Sequence, residues 1–112
     1  MNKYNKEQIF KFLQSQYQIV FLATGRLINE YGDEDRMPDG VRGDYESLCD
    51  DCAFFNEFLH WEGKTFTQKV ENMTTEEIIQ RIKEKFKQIR SFSHDTVQEK
   101  MSEFCNLNEE TN

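Results

Sequence analysis

Apolar residues recur at helical spacing along most of the chain, and no segment alternates apolar and polar residues over the length of a strand. The longest such segment predicts a helix over residues 6–31. Its main apolar face consists of Ile9, Leu13, Tyr17, Val20, Leu27 and Tyr31. Other apolar residues lie around it, so this helix is either central in its own fold or covered by a second chain. Gly32 predicts where it ends.

The pattern changes after this helix. Residues 32–44 hold three of the five glycines and the only proline among acidic residues, which predicts a long acidic loop. Loops of this length are often functional. A second helix is predicted from Tyr45 to about Trp61, with Asp44 as its N-cap. Its apolar stripe consists of Leu48, Cys52, Phe55 and Leu59, with Phe58 beside it.

Two more helices complete the pattern. The third begins behind a capping box of Thr74 and Glu77 and runs to about Phe92. The last begins at Asp95, with Gln98 completing its cap, and ends near residue 105. Residues 63–73 predict either a short helix capped by Thr65 and Gln68 or an irregular crossing. The basic outer face of the third helix consists of Arg81, Lys83, Lys85, Lys87 and Arg90.

These elements predict an all-α protein, a compact bundle of about four helices with the acidic loop between helices 1 and 2. We expect a single helical domain over residues 1–105 and a flexible polar tail over residues 106–112. The start of the chain shows no signal peptide, and no apolar run is long enough to span a bilayer. We therefore expect a cytoplasmic protein without membrane contact, with its three cysteines reduced.

The distribution of charge along the chain bears most directly on the kind of partner. The chain has a net charge of −7, yet residues 1–29 are net positive, and residues 30–57 carry ten acids against two arginines. Direct binding to nucleic acid needs a basic surface, so this balance disfavours it. It favours a basic protein surface as the partner, such as that of a nucleic-acid-binding protein. A homodimer through the first helix is a second predicted contact.

The predicted partner-binding residues are Asp33, Glu34, Asp35, Asp39, Asp44, Glu46, Asp50 and Asp51. We expect a small acidic protein-binding module that docks on a basic partner through residues 30–51. One version is an inhibitor or regulator that mimics phosphate charge, by analogy with small viral anti-defence proteins. The other interpretation is that these acids only keep one end of the fold soluble.

Metal binding gives a different class of function. From Asp35 the chain partly resembles a calcium-binding helix–loop–helix, with four of five expected positions filled, but Met37 replaces an oxygen ligand. Cys49 and Cys52 have the spacing of a zinc knuckle, although only half of a four-ligand set is visible. Two aspartates between these cysteines oppose a redox role, which needs a lowered thiol pKa.

A magnesium-dependent nucleotide hydrolase is the enzymatic alternative. Glu46, Asp50 and Glu57 lie on roughly one helical face and could hold magnesium, with Arg81 or Lys85 on the phosphates. The chain has no glycine-rich phosphate loop, so the phosphate-binding role lacks its usual residues. We therefore predict no catalytic residue and no cofactor, and favour binding over catalysis. The hydrolase and a small zinc-binding helical protein remain the alternatives.

Overall fold

The computed structural model describes residues 4–60, 63–89 and 92–109, and over these residues the chain is all-α without a strand. Its α-helices are α1 Lys6–Tyr31, α2 Asp39–Leu59, α3 Phe66–Lys69, α4 Thr75–Ile89 and α5 Asp95–Glu109. A 3-10 helix, Glu34–Arg36, lies between α1 and α2. In the described part of the chain, none of the helices combines the length and the apolar character that crossing a membrane requires.

The predicted bounds of α1 are confirmed, and local hydrogen bonds explain both ends. At the start, Asn5 Oδ1 accepts from Gln8 N at 2.8 Å and Gln8 Oε1 accepts from Asn5 N at 2.9 Å. At the end, Gly32 has φ of 92° and its N–H donates to Ile28 O at 2.7 Å. A side chain at Gly32 would be strained there, which is why glycine ends this helix.

The start of α2 corrects the sequence prediction. α2 begins at Asp39 instead of Tyr45, so the long acidic loop over residues 32–44 is wrong and Asp44 lies inside the helix. Gly40 and Gly43 have low helix propensity, and this made the segment resemble a loop. Pro38 precedes α2 with φ of −59°, and a proline at a helix start loses no hydrogen bond because its missing N–H would have no partner.

The predicted bounds of the later helices need two corrections, both in α5. The capping box at Thr74–Glu77 confirms the predicted start of α4. The capping box at Thr65–Gln68 begins α3, so of the two alternatives for residues 63–73 the structure has the short capped helix. Asp95 lies in the first turn of α5, and Gln98 Oε1 accepts from Phe92 N at 2.7 Å, so the predicted Asp95–Gln98 cap is wrong. α5 also continues to Glu109, beyond the predicted end. The predictions for Trp61, Arg90 and residues 110–112 lie outside the described residues.

The core lies where the first half of α1 and the second half of α2 meet α4 and α5. The buried cluster comprises Ile9, Leu13, Val20, Leu48, Phe54, Phe55, Phe58, Phe66, Val70, Ile78, Ile79, Ile82, Phe92, Val97, Met101, Phe104 and Cys105. The predicted faces of the first two helices supply Ile9, Leu13, Val20, Leu48, Phe55 and Phe58, whereas Phe54, Ile79 and Phe92 lie outside every predicted stripe. Lys83, assigned to the outer basic face, is 6% exposed, so that assignment is wrong.

The other half of the α1–α2 pair extends away from this core. The radius of gyration is 15.2 Å, against about 13 Å for a compact chain of this length, and the longest dimension is 47 Å. Within residues 21–47, all of which the structure describes, only Met37 is buried. We call this segment the hairpin arm. There α1 and α2 pack mainly on each other and on the 3-10 helix between them.

Candidate functional site

The end of the hairpin arm collects most of the predicted partner-binding residues. Asp33, Glu34 and Asp35 lie in the turn and the 3-10 helix, and Asp39, Asp44 and Glu46 lie in the first turns of α2. All are exposed except Glu34, which is half-buried. With Glu30 at the end of α1 they form a surface that we call the acidic tip, residues 30–46. Seven carboxylates share this surface with two arginines.

Both arginines of the acidic tip are engaged within it. The Arg42 guanidinium donates to the backbone oxygens of Glu34, Asp35 and Met37, each at 3.3 Å. It therefore ties the 3-10 helix to the start of α2. Arg36 lies 3.7 Å from Asp33 Oδ2, and Asp33 Oδ1 also accepts from Arg36 N at 3.1 Å. These contacts give the tip a defined backbone shape despite its repelling charges.

Two carboxyl groups within the tip lie against each other. The hydrogen bond between the Glu34 and Glu46 side chains raises the pKa of Glu34, and partial burial and the negative charge of Glu46 act in the same direction. The Arg42 guanidinium opposes the shift only in part. A carboxylate pair held this closely favours a proton or another cation between its members. A lysine or arginine side chain could supply that cation.

The two remaining predicted residues lie further along α2, apart from the tip. Asp50 is exposed, but Asp51 is only 5% exposed, so its assignment to a partner-binding surface is wrong. Asp51 shares the inward register of Leu48 and Phe55, and this register could have predicted its burial. Its Oδ2 accepts from Ser93 N at 2.9 Å. Burial raises the pKa of Asp51 to about 6, against the opposing effect of the backbone N–H groups of Ser93 and His94.

Asp50 and Asp51 also border an open cleft of about 460 Å³ between α2 and the α4–α5 connection. Ser47, Ile89, Phe92 and Ser93 complete its lining. Within the cleft, the Asp51 carboxylate is already bonded to the backbone of Ser93. The hydrogen bond and the burial give Asp51 a structural role, which is to hold the start of α5 against α2.

The cysteine pair lacks the features of a reactive site. Cys49 and Cys52 are half-buried free thiols. Burial raises the pKa of Cys52 to about 11, and the neighbouring Cys49 and Asp51 add to this effect. A redox or metal-binding cysteine needs the opposite shift, because the thiolate is the reactive form. Among the residues that the structure describes, no three or more His, Cys, Asp or Glu side chains are grouped to hold a metal ion.

The helical start of α2 also changes the calcium and magnesium interpretations. Asp39 and Glu46 lie on one helix, about 10 Å apart along its axis, whereas the calcium interpretation needs residues 35–46 as a loop. The calcium interpretation is therefore wrong. Glu57 forms an ion pair with Lys85 at 3.0 Å, so a lysine assigned to phosphate binding already has an acidic partner.

A second exposed surface lies on α1, where no site was predicted. On the arm, Phe21 and Leu22 are 56% and 59% exposed, and the Tyr17 ring lies 5.7 Å from that of Phe21. We define the α1 outer face as Phe10, Gln14, Tyr17, Gln18, Phe21 and Leu22. The absence of any charged residue between Lys11 and Arg26 was the sequence signal that could have identified it.

Comparison of the chain with protein-family models, curated proteins and solved structures gives no match.

Proposed function

We propose that this protein is a binding module that docks its acidic tip on a basic surface of a partner protein. The observation that carries the proposal is the position of the predicted acids, six of which meet at the end of an extended arm. An arm with one buried residue contributes little to the stability of the fold. An extended arm of this kind is better explained by contact with another molecule. Solubility alone would not need the acids gathered at one end.

The electrostatics of the tip favour a lysine- or arginine-rich partner. The Arg42 guanidinium donates to backbone oxygens and not to the carboxylates of the tip. The Glu34–Glu46 pair favours a cation between its carboxyl groups. A partner's ammonium or guanidinium placed there would form charge-assisted hydrogen bonds. The surrounding carboxylates would attract the partner at longer range and raise the association rate. Specificity would come from the backbone shape that Arg42 maintains.

A nucleic-acid-binding groove is one basic surface that fits this description. Carboxylates on a helix can occupy the positions that phosphates take in such a groove, so the protein would act there as an inhibitor or regulator. An anti-defence protein of a phage would belong to this class and would work in the cytoplasm. This version also requires that duplex DNA and the protein compete for the same surface of the partner.

The test neutralises the tip without changing its shape. Two variants each remove four negative charges, one at the tip and one elsewhere on exposed helix or turn positions. The tip variant replaces Asp33, Asp35, Asp39 and Asp44 with asparagine, and the control variant replaces Glu71, Glu84, Glu99 and Glu103 with glutamine. Asparagine at residue 33 can still cap the 3-10 helix. The probes are a fluorescent lysine-rich helical peptide and a purified helix-turn-helix DNA-binding domain.

We expect the tip variant to bind either probe at least about tenfold more weakly than the control variant does, with a smaller dependence on salt. Equal weakening in both variants would show that net charge alone attracts the probe, and the proposal would fail. So would undetectable binding of both probes by the unmodified protein. Displacement of the DNA-binding domain from labelled duplex DNA would support the inhibitor version.

A further inference from the structure

The Asp51 carboxylate connects two elements that are distant in the sequence. It is buried on α2, and it accepts hydrogen bonds from the backbone N–H groups of Ser93 and His94, just before α5 begins. Backbone N–H groups satisfy a carboxylate, but they carry no full positive charge that would compensate for its burial. The ionised form of Asp51 is therefore held at a position that favours the neutral form.

The same segment of the chain buries a second polar group that lacks a partner. Nδ1 of His94 is inaccessible to solvent and forms no hydrogen bond, although the residue as a whole is only half-buried. A buried nitrogen without a partner destabilises the state in which it is buried. Water could bond to this nitrogen if the segment moved away from its neighbours.

Aromatic packing opposes these two effects. The Phe92 ring packs on the rings of Phe54 and Phe55, and these contacts hold the segment 92–94 on α2. The open cleft of about 460 Å³ described above is lined both by Phe92 and by Asp51. Because water already reaches this cleft, a small displacement of the segment would hydrate the Asp51 carboxylate without unfolding the core.

We propose that the contact between Asp51 and the segment 92–94 is a pH-sensitive switch, which releases the start of α5 from α2 when the carboxyl group ionises. Burial raises the pKa of Asp51 to about 6, whereas a hydrated aspartate has a pKa of ~3.9. The attached state therefore binds the proton more tightly than the released state. The attached state is favoured most below pH ~4, and it loses this advantage as the pH rises through about 6.

The charges around Asp51 leave its ionisation as the event to be tested. Among the described residues, Asp50 disfavours this ionisation and His94 favours it. Cys52, on the same helix, ionises only far above this range, because burial raises its pKa to about 11. The exposed charges at the neighbouring ends of α4 and α5 are those of Lys87 and Asp95.

The experiment is amide hydrogen exchange of the full chain by NMR spectroscopy between pH ~5 and pH ~7, with each rate divided by the intrinsic rate at that pH. We expect the opening constants of the Ser93 and His94 amides to rise about tenfold over this range. Asp51→Asn has no carboxyl group to ionise, so its opening constants should not change with pH. The Phe55 amide in α2 reports global unfolding and should open less often at every pH.

Urea separates release of the segment from unfolding of the whole chain. Exchange at Ser93 and His94 should change little up to ~1 M urea, because a local opening exposes little surface, whereas exchange at Phe55 should accelerate. Equal opening constants at Ser93 and Phe55 would show that the contact opens only on global unfolding, and would overturn the proposal. A pH dependence that persists in Asp51→Asn would belong to His94 and would overturn it as well.

Discussion

The carboxylate of Asp51 in α2 accepts a hydrogen bond from the backbone N–H of Ser93 at 2.9 Å, although 42 positions separate the two residues. The neighbouring Phe92 ring stacks on Phe55 with 5.2 Å between the ring centroids, and it lies nearly perpendicular to Phe54 with 5.0 Å between the centroids. The connection from α4 to α5 is thus attached to α2 by one polar contact and one aromatic cluster. The polar contact places an ionisable group inside the protein.

The first prediction concerns the pH dependence of stability. The pKa of Asp51 is about 6 in the folded chain, above the ~3.9 of an unfolded aspartate, so the folded state binds this proton more tightly. The resulting stabilisation is fully present below pH ~4 and is lost as the pH rises through about 6. Asp51→Asn keeps an acceptor for Ser93 N–H without a charge. We expect it to be more stable by about 1–3 kcal/mol above pH ~7 in urea unfolding.

The comparison with Asp51→Ala controls for the hydrogen bond. Alanine leaves Ser93 N–H without this acceptor, which should cost about 1–3 kcal/mol relative to asparagine. Both variants should lose the same part of the pH profile between about pH 4 and pH 7, because both lack the carboxyl group. An unfolding free energy that varies with pH in Asp51→Asn as it does in the unmodified protein would contradict the assignment.

The second prediction uses two glycines of the hairpin arm. Gly43 lies inside α2, and a Cβ there would meet no atom within 4 Å. Gly43→Ala should therefore raise the free energy of unfolding by about 0.5–1 kcal/mol. Gly32 has φ of +92°, and its Cβ would lie 3.3 Å from Arg36 Nη1, so Gly32→Ala should lower it by at least about 1 kcal/mol. Thermal unfolding of both variants measures the difference, and shifts of the same sign would contradict it.

Helix type and core were predictable because apolar spacing and caps act locally. Of the predicted face of α1, Ile9, Leu13 and Val20 are buried. Tyr17, Leu27 and Tyr31 are only half-buried. The boxes at Thr65 and Thr74 begin their helices. The start of α2 was not predictable from such signals. Two glycines and the lack of a side-chain cap argue against a helix there, and the stabilising contact comes from Arg42 to a separate segment.

In the candidate site, too, local features of the sequence were predictable and contacts between distant segments were not. Charge along the sequence identified the acidic tip, because six of its members are close neighbours in the chain. It could not separate Asp50 from Asp51, since neighbouring residues on a helix point in different directions and only one of these faces the core. A recess of about 330 Å³ on the α1 outer face is lined by Phe10 and Tyr17 of α1 and by Phe66 of α3. Because α3 follows α1 by more than thirty residues, no local pattern predicts this recess.

The third prediction concerns thiol reactivity. Burial raises the pKa of Cys52 to about 11, so its thiolate population at pH ~8 should be about a hundredfold below that of a thiol at its ordinary pKa near 9. In the native protein, iodoacetamide should therefore modify Cys52 far more slowly than it modifies a cysteine in an unfolded peptide. Peptide mapping by mass spectrometry follows the rate, with the urea-unfolded chain as the control. Labelling of native Cys52 at the unfolded rate would contradict this.

The last prediction tests whether Arg42 orders the acidic tip. Its guanidinium donates to Glu34 O, Asp35 O and Met37 O, and hydrogen bonds to a charged donor contribute about 1.5–3 kcal/mol each before their mutual dependence is counted. Arg42→Gln should therefore open the 3-10 helix, and the amides of Arg36 and Met37 should exchange with deuterium at least about tenfold faster. Arg26→Gln removes the same charge from an exposed position on α1 and should leave both rates unchanged. Equal exchange in the two variants would show that charge, and not the contact made by Arg42, determines the order of the tip.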